Sequence, residues 1–125
     1  MIAVDSSTLV AFFREESGPD LDLLDEALRL KQVVLPPIVL SEILSDSELD
    51  SAVVNLICDF PILEILEGYW KRAGLTRAKV LEKGNKARVA DALICQSCLD
   101  HKMGLLTRDR DFRSFSKICG LLLLS

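Results

Sequence analysis

Apolar residues in this chain come in short runs, "IAV" at 2–4, "VVL" at 33–35 and "LLT" at 105–107, separated by stretches of helical period. A run this short, closed by Asp, Pro or Arg, reads as a buried strand in a sheet covered on both sides. Between the runs, "STLVAFFREE" (7–16), "DLDLLDEALRLK" (20–31), "IVLSEILS" (38–45), "SELDSAVVNLICD" (47–59), "YWKRAGLTRAKVLEK" (69–83) and "RVADALICQSCLDHK" (88–102) read as helices, the fifth with a break near Gly74. Their ends carry the expected chemistry. Asp5, Ser6 and Ser7 are capping types, Pro36 and Pro37 stop a strand beside a helix start, and Gly104 ends the last helix. "FPILEIL" at 60–66 and "GLLLL" at 120–124 add a third and a fifth strand. Strands alternating with helices predict an α/β fold, a three-layer sandwich with a central, mainly parallel five-stranded sheet flanked by helices. A site in such a sheet lies outside the carboxyl ends of the strands.

The 125 residues contain no repeat or linker and are read as one domain, 1–125. No apolar run approaches the roughly 18 residues that span a bilayer, and "MIAVDSS" meets Asp5 before it can form a signal-peptide core. The expectation is a cytoplasmic protein with no membrane contact, whose four cysteines (58, 95, 98 and 119) are reduced core residues. The net charge of -4 hides a division: residues 1–67 carry three basic and fourteen acidic side chains, residues 68–125 twelve basic and five acidic. The second half therefore suits an anionic partner, or else presents a solvated basic helix face.

Four carboxylates stand where a packed protein has little use for them. Asp5 closes the first strand and Asp109 follows the fourth by two residues, which fits a site as well as it fits a helix cap or a turn. Asp91 shares a helix face with Ile94, Cys95 and Cys98, so it lies inside an apolar stripe. Glu42 projects between Ile38 and Val39, either toward a site or toward a structural arginine. Were all four to converge, a cation would have to balance them, because two unit charges about 4 Å apart repel by roughly 4 kcal/mol at an effective dielectric of 20. Oxygen donors without His or Cys favour Mg²⁺ or Mn²⁺ over Zn²⁺, and an octahedral ion that keeps waters can supply a nucleophile for phosphoryl chemistry.

With "DSSTLVAFF" at 5–13, "LSEIL" at 40–44, "VADALI" at 89–94 and "LLTRDRDF" at 105–112, the chain resembles the PIN-domain family, most closely its single-domain VapC-like toxins. The resemblance covers essentially the whole chain in order. It implies a Mg²⁺- or Mn²⁺-dependent endoribonuclease with Asp5, Glu42, Asp91 and Asp109 at the family's four acidic positions, Asp5 and Asp91 as the principal metal ligands and Asp109 and Glu42 completing the site directly or through water. Asp111 matches a fifth, less constant one. Ser7 and Thr107 match hydroxyl residues that support the cluster by hydrogen bonds. A homodimer and a silencing antitoxin protein are implied as partners. Cys95 and Cys98 depart mildly from the family, standing where small residues are common. Because both the pocket and an RNA substrate are acidic, affinity must come from basic groups, with Arg108, Arg110, Lys86 and Arg88 as backbone candidates; Arg108 and Arg110 can also pair with the protein's own acids.

Other readings compete. "CQSC" at 95–98 has dithiol or half-zinc-site spacing but lies within a helix, with no second Cys pair to complete it. "DRD" at 109–111 resembles the aspartate pair of a phosphohydrolase, although that pair follows the first strand of its sheet and this one follows a late strand. A catalytically silent RNA- or protein-binding module is the alternative from another class.

Overall fold

A computed structural model describes residues 1–124 of the chain. The first apolar run forms β1 (Ile2–Val4) at the centre of a parallel sheet, between β2 (Val33–Val34) and β3 (Leu105–Leu106). Ile2 and Ala3 stand opposite Val33 and Val34, and Ala3 and Val4 opposite Leu105 and Leu106. All of these except Ile2 are buried, which is why the strands read as unbroken apolar runs.

The strands expected at 60–66 and 120–124 join the sheet as edge segments with a single parallel bridge each, Leu35 with Ile62 and Leu105 with Leu123. Each outer ladder has two hydrogen bonds at 2.9 Å: Leu35 N to Pro61 O and Leu63 N to Leu35 O on one edge, Leu105 N to Leu122 O and Leu124 N to Leu105 O on the other. Pro61 has no N–H with which to extend its ladder, a constraint tolerated only at an edge. Gly120, at φ 80°, takes the left-handed conformation that turns the chain into the last segment.

Six helices occupy the six helical stretches: α1 (Ser6–Phe13), α2 (Pro19–Arg29), α3 (Pro37–Leu44), α4 (Ser51–Cys58), α5 (Tyr69–Glu82) and α6 (Val89–Asp100). Pro19 and Pro37 sit at the starts of α2 and α3, where a missing N–H costs nothing. Contrary to expectation, α5 runs unbroken through Gly74. A seventh helix, α7 (Phe112–Cys119), lies where no element was assigned from the sequence. Phe112 and Phe115 are fully buried on its inner face and Ile118 packs partly behind them, a helical spacing. No helix among the described residues is long and apolar enough to cross a membrane.

Helices α5, α6 and α7 pack on one another, and α6 also meets α3, which in turn meets α1. A polar seam fixes α5 against α6: Tyr69 Oη donates to Leu93 O at 2.6 Å, Thr76 Oγ1 to Gln96 Oε1 and Arg72 Nη2 to Asp100 Oδ2 at 2.6 Å, while within α6 Gln96 Nε2 donates to Asp100 Oδ1 at 2.8 Å. These bonds set the rotation of α6 and hence the direction of Asp91. Cys95 and Cys98 are buried beside the seam, and burial pushes both thiols up, Cys98 to about 12. Without an accessible thiolate the pair has no dithiol chemistry, and core packing accounts for it.

Because α6 leads into β3 and runs against it, its N-terminus lies at the carboxyl edge of the sheet. That edge also receives Asp5 after β1, the start of α3 after β2, and residues 107–111 after β3.

Candidate active site

Asp5 combines the two roles considered for it. Its Oδ1 accepts the Ser6 N–H at 2.6 Å and caps α1, while its Oδ2 accepts the Ser7 hydroxyl at 2.9 Å and the Thr107 hydroxyl at 2.6 Å. The residue is 4% exposed. Each hydroxyl also receives a backbone N–H at 3.0 Å, Ser7 from Arg108 and Thr107 from Asp109. A hydroxyl has one hydrogen, so two hydroxyls that both donate to Asp5 cannot also bond each other; their 3.3 Å separation is a packing contact. Ser7 and Thr107 thus aim Asp5 and tie the loop after β3 to the start of α1.

The same loop presents Asp109 and Asp111 side by side. Asp109 Oδ1 accepts the Asp111 N–H at 2.9 Å, a turn closed by the aspartate's own side chain. With Asp91 from the first turn of α6 they form a group of three carboxylates that each place one oxygen within 4.8 Å of the others'. Asp111, the least constrained expectation, is therefore a full member of the cluster. Burial pushes the Asp91 carboxyl above the usual range; the guanidinium of Arg88 opposes that shift, and Asp109 and Asp5 reinforce it.

Glu42 differs from its expected placement. The residue is exposed on α3 and does not lie on the buried stripe, because Val39 and Ile43 take the inward positions. Its carboxyl nevertheless reaches the pocket, where Oε1 accepts the Ser6 hydroxyl at 3.4 Å. Ser6, which sequence reasoning treats only as a capping type, also approaches Asp5 Oδ1 at 3.3 Å and so links the two acids. Burial of the carboxyl group, then Asp5, then Asp91, holds Glu42 above the ordinary glutamate range.

Three of the four expected RNA contacts have partners inside the chain. Arg108 forks onto Asp20 through Nε and through Nη2 at 3.0 Å; it also reaches Glu16 Oε1 at 3.2 Å and Ser17 O at 2.9 Å. That pairing holds Asp20 below the usual carboxylate range. Gly18 makes it possible, since a Cβ there would come within 2.7 Å of Asp20 Oδ1. Sequence allowed a pairing with the protein's own acids but could not say which, because Asp20 and Glu16 lie far away in the chain. Arg88 lies over the acidic cluster, and Lys86 Nζ is 3.6 Å from Asp111 Oδ2. Arg110 is exposed and forms no ion pair among the described residues.

Three carboxylates that offer only oxygen suit a hard divalent cation. Ligands around octahedral Mg²⁺ stand about 3 to 4 Å apart, so the cluster needs only a small contraction to hold one. Asp91, Asp109 and Asp111 stand close enough together to share one, whereas Asp5 and Glu42, expected beside Asp91 and Asp109 as ligands, lie outside that group and act on it through charge.

The fold has solved counterparts. A structure of FitAB bound to an IR36 DNA fragment contains a chain that is 20% identical, superposes with a TM-score of 0.77 and matches over 99% of this chain and 94% of its own length. A DNA-bound VapBC from Salmonella typhimurium reaches 0.75 at 18% identity, covering 99% of this chain and 98% of that one. VapBC2 from Rickettsia felis, bound to a fragment of its promoter, reaches 0.73 at 19%, with 99% and 98% covered. No curated protein sequence matches the chain. The sequence model of the PIN domain matches residues 2–118, nearly the full length and every acidic residue of the cluster, and the chain belongs to the PIN-domain family.

Proposed function

We propose that this chain is a divalent-metal-dependent endoribonuclease and the toxin of a toxin–antitoxin pair, working in the cytoplasm as a homodimer of single-domain protomers. The observation that carries the reading is the convergence of Asp91, Asp109 and Asp111 beside an Asp5 aimed by Ser7 and Thr107. Similar chains solved as FitAB and VapBC complexes support an antitoxin as its protein partner.

When bound, Mg²⁺ or Mn²⁺ supplies charge neutralisation at the scissile phosphate and water of lowered pKa. The chain's own residues do the rest. Ser7 and Thr107 hold Asp5 in one orientation, so no reorganisation is needed as charge develops. Glu42, whose carboxyl binds a proton more readily than an ordinary glutamate, is suited to orient the attacking water and take its proton. Arg110 and the exposed lysines of 71–88 position the RNA backbone without reading sequence. Single-stranded or looped RNA fits such a pocket better than a duplex.

The test is Mn²⁺-dependent cleavage of a single-stranded RNA by wild type and by Asp5→Asn, with EDTA as the blank. Cleavage that needs the metal and is lost in the variant is expected. Metal-independent or mutation-insensitive cleavage contradicts the mechanism, and tight RNA binding without cleavage supports a silent binding module instead.

A further inference from the structure

Arg88 places one guanidinium against all three clustered carboxylates. Its Nε is 3.4 Å from Asp91 Oδ2, and its Nη2 is 3.2 Å from Asp109 Oδ2 and 3.4 Å from Asp111 Oδ2. By contrast, Arg72 forks tightly onto one acid, Asp100, at 3.0 and 2.6 Å. Arg88 is spread over three acceptors at longer range, and 56% of its side chain faces solvent. It is held by the field of the cluster more than by directional bonds, and it can swing out without uncovering a core.

Its position in the helix sharpens the point. Arg88 is the N-cap of α6 and makes no capping bond there, in a position where Ser, Thr, Asp or Asn would satisfy a free N–H. A cation at this end also opposes the helix dipole. Local helix chemistry therefore argues against arginine at 88, and the carboxylate cluster is what favours it.

We propose that Arg88 is a built-in competitor for the divalent cation: its guanidinium occupies the Asp91–Asp109–Asp111 cluster and must leave before the cation is bound, so Arg88 sets the metal concentration at which the site loads. The inference rests on the metal-dependent reading given above and adds a residue that tunes it. Both cations want the same oxygens, so their affinities are reciprocally linked, and removing one tightens the other.

The experiment is Mn²⁺ binding to the metal-free protein, followed by the EPR signal of free Mn²⁺, for wild type, Arg88→Ala, Arg88→Gln and Arg88→Lys. Lys102→Gln, beyond the opposite end of α6, removes one positive charge away from the cluster and controls for net charge. Arg88→Ala and Arg88→Gln are expected to tighten Mn²⁺ binding by roughly three- to tenfold, with Arg88→Lys between them and wild type and Lys102→Gln unchanged. Circular dichroism identifies any variant that fails to fold, and either neutral variant suffices. Unchanged or weaker binding in the folded neutral variants, while wild type binds Mn²⁺, overturns the competition but leaves the metal site standing. Tightening equalled by Lys102→Gln also overturns it, because net charge then explains the effect. Binding by the neutral variants when wild type binds none supports it in the strongest form, whereas no binding by any variant sinks this inference and the metal-dependent function together.

Discussion

Helix α6 carries one buried aspartate at each end, and the two are in opposite states. The side chains of Asp91 and Asp100 are 7% and 8% exposed, with Asp91 the more strongly desolvated, and what separates them most is their partners. Asp100 accepts a forked pair from Arg72 at 3.0 and 2.6 Å and a third bond from Gln96 at 2.8 Å, and these partners, Arg72 foremost, hold it below the usual carboxylate range. Asp91 receives one 3.4 Å contact from Arg88, and burial lifts it above that range. The difference teaches that a buried charge fully paired within the chain is a structural part, whereas one left short of partners is kept for something outside the chain.

The largest effect that would break this comparison is on metal binding. Asp91→Asn should abolish Mn²⁺ binding at concentrations that saturate wild type, while raising the melting temperature of the metal-free protein by removing a poorly compensated buried charge. Mn²⁺ EPR and thermal melts check both halves; a lower melting temperature would make Asp91 structural after all. Asp100→Ala should do the reverse, lowering stability in urea by about 2 kcal/mol while folded protein still binds Mn²⁺, a figure below that for fully buried pairs because Arg72 is partly exposed.

The acid limb sharpens the contrast further. Asp100 has a lower pKa folded than unfolded, so its contribution is present above the ordinary value of 3.8 and is lost as pH falls through the folded value. The stability gap between wild type and Asp100→Asn should therefore be widest near neutrality and shrink steadily below pH 3.8. A gap that is constant with pH would mean that the pair contributes packing alone. The smallest effect concerns the clamp outside the pocket: Arg108→Lys cannot fork onto Asp20 and should lower stability slightly, loosening the loop and weakening Mn²⁺ binding a few-fold. Denaturation and Mn²⁺ titration of that variant read both effects.

Much of this was legible in the sequence, and the failures share a cause. The buried strands and six helices announce themselves through local periodicity, and Asp5, Asp91 and Asp109 through positions that local structure leaves unexplained. Glu42 was misjudged because its spacing from Ile38 and Val39 says which helix face it is near without saying where that face meets solvent. Helix α7 escaped notice because the alternating charges of 108–111 read as a turn, although Phe112, Phe115 and Ile118 already had helical spacing. The edge strands shrank to single bridges, since pairing depends on a neighbour that a one-dimensional pattern does not show. Arg108 stayed open between an RNA contact and a pairing with the protein's own acids because its partner Asp20 lies 88 residues away. Asp111 joined the cluster through a turn made by the side chain of Asp109, a tertiary detail that spacing alone leaves open.

The most direct test of the account puts both ends of α6 into one assay: cleavage of single-stranded RNA with saturating Mn²⁺, expressed per folded molecule, for wild type, Asp91→Asn and Asp100→Asn. The account predicts a loss on the order of 10³-fold or more for Asp91→Asn and a rate within about twofold of wild type for Asp100→Asn. Equal losses in the two variants, or cleavage that survives Asp91→Asn, would contradict it.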